Sequence, residues 1–323
     1  MEMLVKVKHP GTQFADGVHH RLENVGQLYR RGLGEKDYDG KVYPPAWKDP
    51  EEFLEVVSGW AINPGSVFAP YREKTGDGQW KQLLEASLRR LAAEVTCCYA
   101  DESVFNGERG LAYQQWASGL RLGNDVIITF NYDTIVESLH VNGLLPLLND
   151  PLAATEKKFE RRIPLLKMHG SVNWKNANGK LVECPFEETI NGDRQFDEFA
   201  MAIPGAGKLG FSQANQWLWE CASQFIEGAN TINFVGYRIP ETDGLALNSI
   251  CRAIRRRHEI SKPNEMPTIN IVLGPSPTPE RTRAEGLMRL LCSEPAEVKR
   301  WSRKVHVHDM WAQDYFQKNG TLG

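Results

Sequence analysis

The chain has no CxxC pair, and its six cysteines, Cys97, Cys98, Cys184, Cys221, Cys251 and Cys292, are scattered without a repeating interval. Structural zinc needs closely spaced ligand pairs, so no zinc ribbon is expected. Disulfide frameworks belong to much smaller chains, and reduced thiols fit this one. His306 and His308 fall on one face of a short strand, but the sequence supplies no third ligand beside them, so no metal is expected. The net charge is only -3, which leaves no basic field to attract nucleic acid. Direct nucleic-acid binding is therefore not expected. Arg252, Arg255, Arg256, Arg257 and His258 do cluster at one predicted helix end. Cations favour a helix C-terminus, so a solvated cap is the plain reading and a nucleic-acid or partner contact the alternative. No apolar run is long enough to span a bilayer, and Met1–Lys8 has no signal-peptide core. A soluble, cytoplasmic protein without membrane contact is the expectation.

What is present is ordinary globular composition, 41% hydrophobic and 24% charged over 323 residues, enough for one large domain. There is no internal repeat. Met3–Lys8 alternates with a period of two and reads as a strand. From about residue 19 to 120 the pattern is helical: Glu51–Trp60, and Trp80–Cys98 with Leu83, Leu84, Leu88, Leu91 and Val95 on one side. Pro- and Gly-marked loops separate them. From about residue 121 onward the character changes. Asp125–Phe130, Leu165–His169, Thr231–Gly236, Thr268–Gly274 and Lys304–His308 read as strands. Helices at Thr134–His140, Trp217–Gly228, Leu245–His258 and Thr282–Cys292 alternate with them. The fold class predicted is α/β, a Rossmann-like doubly wound parallel sheet with a mostly helical N-terminal layer or insertion. The expected organisation is a single domain over 1–323, with 19–120 the helical insertion and 121–323 the main βαβ portion.

Ligands in such sheets bind outside the carboxyl ends of the strands, and the residues there are unusual. Asn131-Tyr132-Asp133 follow the first strand of this portion. His169-Gly170-Ser171-Val172-Asn173-Trp174 follow the second. Gly236-Tyr237-Arg238 through Asp243 follow the third, and Gly274-Pro275-Ser276 the fourth. Singly, each has a plain structural reading: Asn131 and Asp133 as caps of the next helix, His169 as a hydrogen-bonded core histidine, Gly236 as a tight turn, Asp243 as an N-cap. Their conjunction at four successive strand ends points to a ligand site.

Thr129-Phe130-Asn131-Tyr132-Asp133, then Lys167-Met168-His169-Gly170-Ser171-Val172-Asn173-Trp174, then Phe234-Val235-Gly236 through Asp243 resemble the three signature blocks of SIR2-like (sirtuin-related) domains, in the family's order. Ile203 through Lys208 resembles a loop found between the second and third blocks. The resemblance implies NAD as substrate. It would place Asn131 near the nicotinamide ribose and Asp133 near the nicotinamide end, with Thr129 and Phe130 among the cofactor-binding residues. It would make His169 the catalytic histidine, flanked by Gly170 and Ser171. Gly236, Tyr237, Asp243, Gly274 and Ser276 would serve the pyrophosphate and the adenine-side ribose. Relatives in bacteria are often NAD-cleaving effectors of anti-phage defence, so the resemblance also implies an NAD glycohydrolase held off until it forms a homo-oligomer or meets an activating protein partner.

The residue types suit that chemistry. The pyridinium leaving group is already cationic and needs no general acid. The site must hold the ribose, order a water and accept a proton, the last a task for neutral imidazole. Asn131 offers both a donor and an acceptor.

The sequence departs from the family at its first loop. His9-Pro10-Gly11-Thr12-Gln13-Phe14-Ala15-Asp16-Gly17 stands where a Gly-Ala-Gly-x-Ser-type phosphate loop is usual. Pro10 has no N–H to give a phosphate. A SIR2-like nucleotide-binding or assembly module with weak or no catalysis, binding NAD or an ADP-ribose-like ligand, is therefore the alternative. An NAD-dependent deacylase ranks last, because the zinc module of such enzymes has no counterpart.

Overall fold

The computed structural model describes residues 25, 28–30, 33–35, 50–62, 78–97, 108–141, 143, 145, 147–148, 161–185, 188–189, 198–203, 206–237, 243–260, 266–275, 282, 286 and 304–319. The predicted strand Met3–Lys8, the loop His9–Gly17 and Ser276 lie outside these. So does most of the predicted helix Thr282–Cys292, of which Thr282 and Gly286 are described and helical. The chain divides into two compact units. One takes residues 1–101, 131–136 and 167–214, the other 102–130, 137–166 and 215–323.

The first unit holds helices α1 (Pro50–Ile62) and α2 (Gly78–Cys97). Their apolar stripes pack together through Phe53, Val57 and Trp60 against Leu84, Leu88 and Ala92, as the helical spacing predicts, with Leu83, Leu91 and Val95 at the margin. In the same unit, β4 (Gly170–Ala177), β5 (Lys180–Glu183) and β6 (Phe199–Met201) form an antiparallel sheet in the order β5-β4-β6. Val172, Phe199 and Met201 bring it into the helices' core. Strands β4 and β5 meet through a two-residue turn, Asn178-Gly179, with φ of 53° and 78°. Positive φ at both positions is the hairpin turn whose twist matches the strands. Helix α5 (Ala206–Ala214) completes this unit.

The second unit carries the parallel pairing. Strands β1 (Ile127–Thr129), β2 (Leu147–Leu148) and β3 (Ile163–Lys167, its last residue counted with the first unit) run in the order β1-β3-β2, with β2 and β3 parallel. Strands β7 (Thr231–Val235), β8 (Thr268–Val272) and β9 (Val305–His308) form a second parallel sheet in chain order. One face of β7-β8-β9 is apolar: Ile232, Phe234, Ile269, Ile271, Val305 and Val307 pack with Ile226 of α6 (Gln216–Gly228), Ile250 and Ile254 of α7 (Gly244–Ile260), and Ile128 and Phe130. Alternating β-branched residues with amphipathic helices between them produce this layer, as βαβ patterning predicts. The fold is α/β, and the stretch from Pro50 to Gly119 is helical wherever it is described, ending in α3 (Glu108–Gly119).

Two details differ from the sequence reading. The strand expected at Leu165–His169 ends at Lys167, so Met168 and His169 form a turn. The residues after it, read as a strand-end loop, open a new strand, β4, instead.

The opposite face of β7-β8-β9 is polar. His308 Nε2 lies 3.3 Å from Asn270 Oδ1, Asn270 Nδ2 donates to Asn233 Oδ1 at 2.9 Å, and the Tyr315 hydroxyl of α8 (Ala312–Asn319) donates to the same oxygen at 3.4 Å. Because Asn270 Oδ1 only accepts, His308 joins this chain of bonds through a proton on Nε2. Burial holds the His308 pKa below its usual 6.5, with His306 and then Lys318 adding repulsion. The unfolded chain therefore takes up this proton at higher pH than the folded one, and stability falls as pH drops below about 6.5. His308→Asn should flatten that fall, read as the urea midpoint at pH 7 against pH 5. An unchanged slope would remove His308 from the account.

Candidate active site

In the first unit the site grows from the turn between β3 and β4. All five residues of β3 are buried. The chain then reverses at Met168-His169, and Gly170 takes φ 77°. A Cβ on Gly170 would stand 1.9 Å from the Ala200 carbonyl oxygen, so only glycine fits between the turn and β6. The His169 carbonyl accepts from Ala202 N–H at 2.7 Å, and His169 is itself only 6% exposed.

The loop Asn131-Tyr132-Asp133 is fastened to this turn. The Tyr132 carbonyl accepts from Val172 N–H at 3.0 Å and from the Ser171 hydroxyl at 3.3 Å. Its hydroxyl donates to the Ala202 carbonyl at 2.5 Å, and its ring faces His169 with centroids 6.1 Å apart and planes 30° from parallel. Tyr132 thus fixes both the loop and one face of the imidazole. Asn131, one residue earlier, is exposed. Asp133 Oδ1 accepts from Ile135 N–H at 3.1 Å, closing the turn that starts α4 (Ile135–Val141). The capping role expected from its residue type is present. The Lys167 ammonium donates to the Asp133 carbonyl. Ser171 is fully buried, and its hydroxyl also reaches Asn173 Oδ1 at 2.5 Å.

The second unit carries the remaining predicted residues. Thr129 lies in β1, half-buried. The Phe130 ring stacks on Tyr237 at 4.4 Å and 12°, and the Trp219 ring lies 6.2 Å from it, tilted by 46°. The Tyr237 hydroxyl donates to Asp243 Oδ2 at 3.2 Å. Burial first, and the Asp243 carboxylate second, push the Tyr237 pKa far above its ordinary value, so the phenol stays protonated and serves as a donor. Asp243, 5% exposed, lies immediately before α7. Gly236 has φ 68°, donates to the Val272 carbonyl at 2.8 Å and, among the described residues, has nothing within 4 Å of where a side chain would start. Gly274, φ 84°, is buried against the Trp311 ring, 3.2 Å from the position a Cβ would take.

The structure brings His169, Gly170 and Ser171 together with the Tyr132–Asp133 loop in one unit, and Phe130, Tyr237 and Asp243 together in the other. Sequence reasoning missed Tyr132 and Lys167 as site components. Both lie inside the quoted motifs, but their roles depend on contacts 34 to 70 residues apart in the chain. Among the described residues, no group of three or more His, Cys, Asp or Glu could hold a metal ion, and no helix is long and apolar enough to cross a membrane.

Gly170→Ala should destabilise the protein by roughly 3 kcal/mol or more, from left-handed strain plus overlap with backbone. Gly236→Ala, with space around it, carries the strain alone and should cost about 1 kcal/mol. Thermal unfolding of the two variants side by side checks the contrast; equal losses would contradict it.

Residues 125–288, just over half of the chain, match the family model of the SIR2-like domain. The matched segment runs from β1 to beyond β8 and contains Asn131, His169, Gly236, Asp243 and Gly274. No curated protein sequence matches the chain.

Proposed function

The chain belongs to the SIR2-like domain family, and from that premise we propose that it is an NAD glycohydrolase, cleaving the nicotinamide–ribose bond to give nicotinamide and ADP-ribose. The observation that carries the reading is the arrangement around His169. A buried imidazole is held by its own carbonyl at Ala202 and faced by the Tyr132 ring, in the loop that presents the exposed Asn131.

In this reading the C1′–N bond breaks with its electron pair moving to the nicotinamide ring, which leaves neutral. The ribose passes through an oxocarbenium-like state, as in other glycosyl transfers. A water oxygen bonds to C1′ and its proton goes to the neutral His169 ring. The Asn131 amide orients the ribose or that water, with a carbonyl to accept and an NH2 to donate. Asp133, whose carboxylate already anchors the start of α4, stays at the nicotinamide end, with Thr129, Phe130, Gly170 and Ser171 shaping the surroundings. By the same family resemblance, Gly236, Tyr237, Asp243, Gly274 and Ser276 serve the pyrophosphate and the adenine-side ribose. Gly236 suits close approach of a phosphate because its Cα faces open space. The biological role this activity implies is an anti-phage effector in the bacterial cytoplasm, brought into action by self-assembly or a protein partner.

The second reading, a nucleotide-binding or assembly module with little catalysis, is favoured by one feature, the altered His9–Gly17 sequence with Pro10 in place of an N–H donor.

Nicotinamide release from NAD, followed at high protein concentration for wild type, His169→Ala and Asn131→Ala, separates the two. A hydrolase loses roughly 100-fold or more of its rate in His169→Ala, and in Asn131→Ala by loss of positioning, with both variants folded. An inert wild type that still binds ADP-ribose would favour the module. Undiminished release by His169→Ala would contradict the assignment of the base.

A further inference from the structure

We propose that Lys167 is the positioning residue that sets the Asn131–Asp133 loop against the histidine turn, an inference that rests on the NAD-cleavage reading for its catalytic consequence. Lys167 is 1% exposed and is the largest completely buried side chain among the described residues. Lysine is almost never fully buried unless its ammonium is paired or hydrogen-bonded. The other residues of β3, Ile163, Pro164, Leu165 and Leu166, are apolar and equally buried. Against that apolar strand Lys167 is the exception.

What it serves is visible at its head. The Lys167 ammonium donates to the main-chain carbonyl of Asp133, and Val172 N–H and the Ser171 hydroxyl bond the carbonyl of Tyr132. Two consecutive carbonyls of one loop are thus held by donors from the segment Lys167–Val172, and His169 lies in the middle of that segment. A charged donor makes the stronger bond of the two sets. Asn131 is one residue before the first held carbonyl and two before the second. Consecutive Cα atoms lie 3.80 Å apart, so the grip on the Asp133 carbonyl acts within two residues of Asn131. Lys167 touches no reacting atom in this scheme and acts through the loop. It keeps the ribose-orienting amide in register with the base.

Lys167→Met keeps the length and removes the charge and the donor, and two measurements on the full chain decide its role. Hydrogen exchange at residues 131–136 reads the grip without turnover. Exchange there should quicken about tenfold in Lys167→Met while α1, α2 and β7-β8-β9 keep wild-type protection, a local opening and not a global loss. Unchanged exchange at 131–136, or faster exchange everywhere, overturns the proposal. NAD turnover reads the consequence. Lys167→Met should lower kcat at least tenfold with KM for NAD within about threefold. The double variant with Asn131→Ala should be no slower than Asn131→Ala alone, because both changes remove the same positioning. Multiplying losses would mean that Lys167 acts elsewhere, and would overturn it. If wild-type protein releases no nicotinamide, the hydrolase reading fails by itself, and the exchange arm still decides whether Lys167 sets the loop.

Discussion

The bonds between the Tyr132 carbonyl and the first residues of β4 are the interaction on which the candidate site depends. They join a loop that leaves one strand to a turn that leaves another, and the catalytic candidates lie on either side of the join. Neither segment is long enough to hold a shape alone. Asn131–Asp133 is three residues, and Met168–His169 is two residues between strands. Each hydrogen bond is worth only about 1 kcal/mol net. Together with the Tyr132 hydroxyl at Ala202 and the glycine-only approach of Gly170 to Ala200, they fix the backbone of the turn that carries His169.

The two units solve different problems. The parallel sheet β7-β8-β9 buries one face against helices and keeps a polar ladder, Asn233, Asn270 and His308, on the other. The antiparallel sheet β5-β4-β6 shares a core with α1 and α2 and carries, at the start of its central strand β4, the turn that holds His169. Left-handed glycines at Gly170, Gly236 and Gly274 follow β3, β7 and β8. Strand ends are where a parallel sheet exposes free backbone groups to a ligand, and glycine is the residue that lets a chain turn there without a side chain in the way.

Much of this was legible in the sequence. Alternating or continuous apolar β-branched runs marked β1, β7, β8 and β9, and the leucine stripe marked α2, because burial in a layered α/β fold imposes those periods directly. The hairpin β4–β5 was overlooked although Asn178-Gly179 is the strongest short-range hairpin signal. The neighbouring His-Gly block drew that segment into a loop reading. Helix α3 has weak apolar periodicity, and α8 is only eight residues long. They are joined by ring packing of Trp116 on Phe316, a contact some 200 residues apart in the chain that no local pattern encodes. Among the site residues, His169, Gly170, Asn131 and Asp133 stood out by type and position. Tyr132 and Lys167 did not, since an aromatic inside a motif and a lysine in a strand announce nothing until their partners are known.

The central claim is that water, held beside His169, takes the ribose of NAD. Incubating the protein with NAD in water enriched in oxygen-18, without any acylated peptide, tests it most directly. The account predicts ADP-ribose carrying the heavy oxygen on C1′, formed in equal amount with nicotinamide. Nicotinamide formed only when an acyl-lysine peptide is added, with the acyl group transferred to ADP-ribose, would contradict it and return the chain to the deacylases.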